Sequence, residues 1–454
     1  MAKLFFLGLL GGAISAIVAI LGNSQSATVL AIGLTLVSIE VMVLTKVAGG
    51  FTPVVIPVLI VNSVLLGSLF LWDRIHAEAS VSIRLQVSEE YQIQAAVIGI
   101  VFSAAYTLGS LLAGPRSVKI SLQQLGSSIF QIPNGVLVGV GYGGIILTVY
   151  GYQGALLQGQ YLEARGPSWA VMLSAALTPL FMLALCIAAA RPGPWRMLAV
   201  VGIGLLVLIL FGRATRRIAA LPAMMVLAGA FASGWRVRPR SIVIAAVATV
   251  FLMQLPLIGR SNQDGVGIIP LGAQLFTRTD EILAGFSLSA VLGNILFSGP
   301  HTAVVAHRPI PSDALWISLN PMPGGIAGWR EIEDSLRLNS FTPYNALGEL
   351  GAHGWVALAL VAGAAGFVLS LSTRIASSLP GAYATVAMMI VLIAVALFSI
   401  NVIQYHLRTT MRFAWYALFG VAAIWVAHGV LGRERAELEN QDVLKEPRIP
   451  RDAN

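Results

Sequence analysis

The sequence predicts an all-α polytopic integral membrane protein with about twelve transmembrane helices and one large extracytoplasmic loop. Hydrophobic residues make up 57% of its 454 residues and charged residues only 11%, whereas soluble domains carry about 25% charged residues. Apolar runs of the roughly 20 residues needed to cross a bilayer recur along the chain. One long stretch, residues 260–353, is hydrophilic instead. Because lipid cannot satisfy backbone polar groups, the spans are expected to be helices.

Twelve apolar segments qualify as spans, and they set the domain organisation. Nine of them fall in residues 1–259, the loop covers 260–353, three more lie in 354–430, and 431–454 form a tail. An N-terminal signal peptide is the alternative for the first segment, but its long apolar run favours a retained span. The segments are about 4–22, 27–45, 51–72, 94–113, 135–151, 168–190, 195–212, 217–233, 241–259, 354–372, 381–402 and 412–430.

Lysine and arginine near the span ends predict the orientation, since these residues collect on the cytoplasmic side. The tail is rich in them, and twelve spans place both termini in the cytoplasm. The inner turns then hold Lys46, Arg116, Lys119, Arg191, Arg196, Arg236, Arg238, Arg240 and Arg374. The loop 260–353 is therefore expected outside, together with the shorter loops 73–93, 151–167, 213–217 and 403–412.

Composition and motifs exclude several function classes. The net charge of +8 comes from short membrane turns, so it does not indicate nucleic-acid binding. Cys186 is the single cysteine, and the sequence has no clustered histidine and cysteine spacing. A phosphate-binding glycine loop and a zinc-protease motif are also absent. We therefore expect no metal and no cofactor.

Arginines in two of the predicted outer loops depart from the positive-inside pattern. Arg213, Arg216 and Arg217 share one short turn, and Arg408 and Arg412 precede the last span beside His406. Guanidinium groups bind phosphate in a bidentate manner and keep their charge, so such clusters suit the diphosphate of a lipid carrier. The alternatives are that these side chains reach to lipid headgroups or that the topology differs locally.

Glu40 is the clearest ionisable residue inside a predicted span. A carboxyl group in a membrane is a functional-site candidate by default. The alternative is a place near the span end, where Glu40 pairs with a hydroxyl group or with Lys46.

The large loop carries most of the remaining polar chemistry. Residues 280–298 are apolar enough for a helix on the outer leaflet, begun by Thr279 or Asp280. Irregular structure is expected between Pro300 and Pro323, and a short polar helix after Gly328 with Glu333 and Arg337 four residues apart. The loop's other notable side chains are His301, His307, Asp313, Arg330, Glu331, Asp334 and His353, with Trp316 and Trp329 as flat faces for sugars.

The run ISLNPMPGG, followed by TPYNALGELGAHGW at the start of a span, resembles the Wzy-type bacterial polysaccharide polymerases. Arg337 and Gly348 also match an arginine-to-glycine spacing in the outer loops of that family. The resemblance implies a GT-C-like glycosyltransferase in the bacterial inner membrane. It would polymerise oligosaccharide repeat units carried on undecaprenyl diphosphate, beside membrane lipids, a flippase and a chain-length regulator.

The implied transfer needs cations for the leaving diphosphate and a base for the acceptor hydroxyl. Glu349 is the first candidate for the base, with Glu331, Asp334 and His353 in reserve. The diphosphate would be bound by Arg213, Arg216, Arg217, Arg408, Arg412 and Arg337. Sugar contacts would come from Trp316, Trp329, Tyr344 and Asn345.

Two other functions stay open at this point. O-antigen ligases share the architecture, but they typically have a histidine before the asparagine where this chain has Tyr344 before Asn345. A transporter or flippase of lipid-linked sugars would need polar residues facing inward across several spans.

Overall fold

The computed structural model describes residues 27–78, 87–117, 132–160, 163–232, 239–260, 265–277, 288–339 and 342–445, and these are mainly helical. Every predicted span from the second onward coincides with a helix, while the first lies outside the described residues. These helices are Ala27–Ala48 (α1), Val55–Glu78 (α2), Glu89–Ala113 (α3), Asn134–Tyr152 (α4), Ser168–Ala190 (α5), Trp195–Gly212 (α6), Leu221–Ala232 (α7), Pro239–Arg260 (α8), Trp355–Ser378 (α15), Gly381–Gln404 (α16) and Leu407–Lys445 (α17). A mainly α-helical membrane protein is confirmed at this level.

Among the described residues, 6 helices are long and apolar enough to cross a membrane, or up to 7 with α5 included. Helix α5 is bent by 53° between Ser168–Ala175 and Leu177–Ala190. Pro179 explains the bend, because proline has no N–H for the carbonyl of Ala175 and its ring presses on that carbonyl. The total of twelve spans stays a prediction.

The chain divides into two compact units, and the division falls inside the predicted loop. The first unit comprises residues 1–73, 83–119 and 295–454, and the second comprises 74–82 and 120–294. Residues of the stretch 260–353 therefore contribute to both units.

In the first unit, α3 and α15 approach each other at glycines. A Cβ atom on Gly109 would lie 1.8 Å from the carbonyl oxygen of Gly363. The Ser110 hydroxyl donates to the Gly366 carbonyl at 3.2 Å, and the Ser370 hydroxyl donates to the Ser110 carbonyl at 3.1 Å. Small residues that let two backbones approach are typical of helix contacts in membranes.

We expect Gly366→Leu to prevent correct folding of the first unit, because a Cβ there would already lie 2.1 Å from the carbonyl oxygen of Tyr106. Backbone cannot move aside as a flexible side chain can. Gly429→Leu in α17 is the control, since a Cβ at Gly429 meets nothing within 4 Å. Size-exclusion profiles of the two detergent-solubilised variants should show aggregation for the first and a native peak for the second. Equal profiles would contradict this packing.

In the second unit, α4 packs on α5 through small residues as well. A Cβ on Gly141 would lie 2.3 Å from the side chain of Leu185, and one on Gly144 would lie 2.2 Å from Phe181. Directly after α5, Arg191 Nη1 donates to the Ile132 carbonyl at 2.8 Å. Glycines of the fifth predicted span thus form a surface that packs against α5.

Turns that the charge pattern assigns to one side of the membrane lie together within the first unit. At one end, Arg374 Nη1 donates to the Ala113 carbonyl at 3.3 Å and Ser117 N–H to the Ala48 carbonyl at 2.8 Å. Arg374, Ser117 and Ala48 belong to predicted inner turns, and Ala113 is the last residue of the span that precedes one. At another, the Ala346 N–H donates to the Tyr405 carbonyl at 2.8 Å, joining two predicted outer segments.

The second unit shows the same grouping. Arg191 and Ile132, joined as described above, both belong to predicted inner turns. The predicted outer segments 151–167 and 260–353 pair through Gly159 and Val266, which exchange backbone hydrogen bonds of 2.8 and 2.9 Å. This pattern of neighbours is what alternating membrane spans require, while the absolute orientation stays a prediction.

The predicted loop is more regular than its prolines suggest. Its described elements are the helices Ile268–Thr277 (α9), Leu288–Leu296 (α10), Ser298–Ala306 (α11), Ala314–Leu319 (α12), Trp329–Ile332 (α13) and Ala346–Ala352 (α14), the 3-10 helix Glu333–Leu336, and a hairpin of Arg337–Asn339 (β1) with Thr342–Pro343 (β2).

Three expectations for this stretch need correction. The predicted apolar helix 280–298 begins, with Thr279 and Asp280, outside the described residues. Its described part, α10, ends at Leu296, and residue 298 begins a second helix, α11, which is largely buried. The irregular stretch after Pro300 contains two helices, since proline is tolerated in a first helical turn. The polar helix ends early, and Arg337 begins a strand.

Candidate functional site

The start of the last helix holds the loop segment 314–322 in place. Arg408, Arg412 and Trp415 have the spacing i, i+4, i+7, which aligns them on one face of α17. The guanidinium of Arg408 donates to the carbonyls of Ile317 and Met322. Trp415 Nε1 donates to the Leu319 carbonyl at 3.1 Å. Sequence reasoning missed Trp415, although its spacing from the two arginines was a usable signal.

Glu349 is fully enclosed next to segment 314–322. It lies in α14, and both of its carboxyl oxygens are occupied. Oε1 accepts from the Ser318 hydroxyl at 2.9 Å, and Oε2 accepts from the Leu407 N–H at 3.0 Å. Burial raises the pKa of Glu349 to about 7, against the smaller opposing effect of these two hydrogen bonds. Glu349 thus ties three segments together, and an acceptor sugar cannot reach it without a rearrangement.

Asn345 is likewise a structural residue in this arrangement. Its Oδ1 caps α14 by accepting from the Gly348 N–H at 3.0 Å. Its Nδ2 donates to the Thr302 hydroxyl at 2.7 Å and to the Ile403 carbonyl at 3.2 Å. Since its side chain is completely buried, the predicted sugar contact does not follow. Its neighbour Tyr344 is also buried and packs in the loop's apolar core.

The charges of three arginines act on His406, which directly precedes α17. Its pKa is lowered to about 4, first by burial and then by the charges of Arg337, Arg412 and Arg408. The ring is therefore neutral at physiological pH. His406 Nδ1 and Arg408 Nε are both enclosed without a hydrogen-bond partner in the described part of the chain. The cluster thus combines positive charge with unused polar atoms.

The three arginines differ in their availability. Arg408 is 1% exposed and bound to backbone carbonyls. Arg337 Nη2 lies 2.6 Å from Glu333 Oε1, and its Nε lies 3.7 Å from Asp334. Arg412 is half-buried and makes no hydrogen bond or ion pair with the described residues. Of the predicted diphosphate ligands in this unit, Arg412 is the one whose guanidinium is open.

The two tryptophans predicted to contact sugars have opposite surroundings. Trp329 is buried beneath Arg408, whose guanidinium carbon lies 5.5 Å from the ring centroid. His406 meets the same ring edge-on at a centroid distance of 5.0 Å. Trp329 is therefore a packing residue here, and a sugar could stack on it only after a rearrangement. Trp316 is 73% exposed.

The reserve base candidates are scattered. Glu331 is exposed, and the side chain of Asp334 is 98% exposed. His353 is half-buried, and burial lowers its pKa. His301, a loop histidine outside that set of candidates, is buried against Phe297, and burial lowers its pKa to about 4. None of these groups joins Glu349 in a paired acid and base.

The predicted arginine cluster of the second unit lies after α6. The guanidinium carbon of Arg213 lies 3.3 Å from the centroid of the Tyr152 ring. Next to this pair, Gln153 and Ala214 both have positive φ angles, of 48° and 47°, which side chains other than glycine rarely adopt. Arg217 is exposed, and the side chain of Arg216 lies outside the described residues.

Glu40 is buried in the first unit, 1% exposed. The Thr107 hydroxyl donates to its Oε2 at 3.4 Å. The hydroxyl partner matches the alternative for Glu40, but its expected place near the span end does not, because Glu40 lies eight residues before the end of α1; Lys46 is exposed.

Within the described residues, no group of three or more histidine, cysteine, aspartate or glutamate side chains could hold a metal ion. Comparison of the chain with protein-family models, with curated proteins and with solved structures finds no match in any of the three.

Proposed function

We propose that this protein polymerises lipid-linked oligosaccharide repeat units, using the cationic cluster around His406 to bind the diphosphate of the carrier. The observation that carries the proposal is that Arg337, Arg408 and Arg412 all act on His406 by their charge, and that Arg408 and His406 both lie against the Trp329 ring. Glu333 and Asp334 offset only Arg337 there. Excess positive charge in a partly buried place favours a multiply charged anion. The cluster also lies at the end of the unit that the charge pattern puts outside.

In the proposed transfer, a hydroxyl oxygen of the acceptor repeat unit forms a new bond to the anomeric carbon of the donor glycan. The bond from that carbon to the carrier diphosphate breaks, and the diphosphate leaves with the electron pair. Arg412 stabilises the charge developing on the leaving group. The hydroxyl proton needs an acceptor, and His406 is a neutral imidazole beside the cations.

Binding of the diphosphate would change the proton affinity of His406. In the free protein, burial and then the charges of the three arginines lower the pKa of His406. A bound diphosphate offsets their charge, so the pKa of the imidazole rises and the ring becomes a better base. Proton transfer is thereby favoured only when the donor is in place. The carrier is proposed to be undecaprenyl diphosphate, in the inner membrane of a bacterium.

The proposal is tested by measuring the size distribution of surface polysaccharide in a strain that lacks the gene. The same strain is then complemented with wild type, Arg412→Ala or Arg213→Ala. Loss of the long polymer ladder with survival of a single-repeat product, restored by wild type but not by stably expressed Arg412→Ala, supports the polymerase. Accumulation of lipid-linked full-length polymer would indicate a ligase instead. An unchanged profile would contradict both.

A transporter of lipid-linked sugars is the second candidate, and a buried polar row in the first unit favours it. Ser103, Thr107 and Ser110 follow one face of α3 and are completely buried. Asn62 Nδ2 donates to the Ser103 hydroxyl at 2.6 Å, and Thr107 contacts Glu40. A transporter would show lipid-linked repeat units retained on the cytoplasmic side of the deletion strain.

A further inference from the structure

Segment 314–326, which comprises α12 and the chain that follows it, exposes apolar side chains in the predicted outer loop. Trp316 is 73% exposed, Met322 48% and Ile326 71%. By contrast, Ile317 of this segment and Trp329, which follows it in α13, pack in the loop's core. Exposing a tryptophan, a methionine and an isoleucine to water within eleven residues is unfavourable, because apolar surface in water costs a free energy of about 25 cal/mol per Å².

This segment is fixed beside the first turns of a membrane-spanning helix. Arg408 binds two of its carbonyls and Trp415 binds a third, as described above. Trp415 stacks in parallel on Phe419, one turn further along α17, at a centroid distance of 5.9 Å. Phe419 is 53% exposed, within the candidate span Leu407–Val430. The stripe that holds the segment therefore continues into an apolar surface of the span.

We infer that the segment 314–326 is a membrane-interface element, in which Trp316, Met322 and Ile326 contact lipid at the boundary between headgroups and acyl chains. Continuity with the exposed stripe of α17 identifies the partner, because lipid that covers Phe419 extends to the end of the same span. An indole ring prefers this boundary, where its apolar body is buried and its N–H stays hydrated.

Contact between this segment and lipid would also set the depth of the cationic cluster in the membrane. Arg408 and Arg412 lie on the face of α17 that holds this segment, so they would sit at headgroup depth. Phosphate groups of lipids occupy that depth. This consequence rests on the proposed function, whereas the lipid contact itself does not.

Collision measurements on nitroxide labels test the contact, and the chain is well suited because Cys186 is its only cysteine and is buried. In a Cys186→Ala parent, single substitutions Trp316→Cys and Ile326→Cys would carry the label. Asp313→Cys and Asp334→Cys serve as controls, since both aspartates are exposed and polar. The labelled proteins are reconstituted in phosphatidylethanolamine and phosphatidylglycerol vesicles. All four positions are at the surface, so folding should be preserved, and size-exclusion profiles check it.

We expect labels at positions 316 and 326 to collide several-fold more with oxygen, which partitions into lipid, than with a water-soluble nickel chelate. Labels at 313 and 334 should show the opposite preference. Equal preference for the nickel chelate at all four positions would overturn the lipid contact and leave Trp316 open to sugars. Spectral broadening that disappears on dilution with unlabelled protein would assign the surface to a second copy of the chain, and would also overturn it.

The test separates this inference from the proposed function. Lipid contact at 316 and 326 in a protein whose deletion leaves surface polysaccharide unchanged would keep the inference and reject the polymerase. Water exposure at these positions together with loss of the polymer ladder would do the reverse.

Discussion

Replacing Glu349 with glutamine is expected to flatten the dependence of thermal stability on pH. The pKa of Glu349 rises from 4.5 to about 7 on burial. Glutamine has the same shape and no charge. Its carbonyl oxygen can accept from the Leu407 N–H, while its amide N–H donates to Ser318, whose hydroxyl can accept as well as donate.

The direction of this pH dependence follows from whether the folded or the unfolded chain binds the proton more tightly. Below pH 4.5 the carboxyl group is protonated in both the folded and the unfolded chain, and its burial carries no charge penalty. Between pH 4.5 and 7 the unfolded chain releases the proton first, so stability falls as pH rises. Above pH 7 the full cost is present, on the order of 3 kcal/mol at about 1.4 kcal/mol per pKa unit.

Melting temperatures of wild type and Glu349→Gln in lipid nanodiscs, measured from pH 4.5 to 8.5, check this expectation. The two should agree at the acidic end, and the variant should melt several degrees higher at the basic end. Glu349→Ala is the matched comparison, because it leaves the Leu407 N–H buried without an acceptor and should destabilise at every pH. Equal pH slopes for wild type and Glu349→Gln would contradict the buried, raised carboxyl group.

The same variant separates a structural from a catalytic role of Glu349. A general base cannot be replaced by glutamine without loss of transfer. A residue that ties segments together can, and we expect polymerising activity of Glu349→Gln to persist at pH 8. Complete loss of activity in a stably folded variant would restore Glu349 as the base.

Arg412→Ala is expected to lower transferase activity by about 10²–10³-fold without loss of stability, the range seen when one donor to a developing anion is removed. Arg412 makes no hydrogen bond or ion pair with the described residues, so its removal should leave the fold intact. Initial rates with lipid-linked repeat units in nanodiscs measure the effect. Arg412→Lys should retain part of the activity, because charge persists while bidentate geometry is lost.

Arg330→Ala is the control for general electrostatics, since Arg330 is exposed in the loop 260–353 of the same unit and has no ion pair with the described residues. It should change the rate less than about threefold, as expected for a screened surface charge. Equal losses for Arg330→Ala and Arg412→Ala would indicate nonspecific attraction and would contradict a diphosphate site at the cluster. Arg408→Ala is uninformative for chemistry, because it also frees the segment that Arg408 holds.

Helix positions were largely predictable because the bilayer imposes one simple rule on composition. Within the described residues, each apolar run of sufficient length becomes a helix, and α3, α15 and α16 fall where hydropathy puts them. The loop was less predictable, since its helices are short and depend on burial. Pro300 suggested irregular structure, but in the first turn of α11 its missing N–H costs no hydrogen bond.

Among the site residues, sequence reasoning identified the arginines but not their separate environments. Arg408 and Arg412 belong to one helical face, which their spacing indicates. That the first binds backbone carbonyls and the second is open depends on segment 314–322, almost a hundred residues earlier. Glu349 is the base candidate for the transfer that the resemblance implies, but its enclosure by Ser318 and Leu407 depends on contacts that the local sequence does not show.

The sequence by itself determined the membrane class, the helical content and the grouping of turns, because hydropathy and charge act locally and additively along the chain. Only the tertiary structure decided which polar groups are satisfied and which are open. That decision depends on contacts between residues far apart in sequence, such as the hydrogen bond from Leu407 to Glu349. Burial then sets the protonation of Glu349 and His406, and hence what each can do.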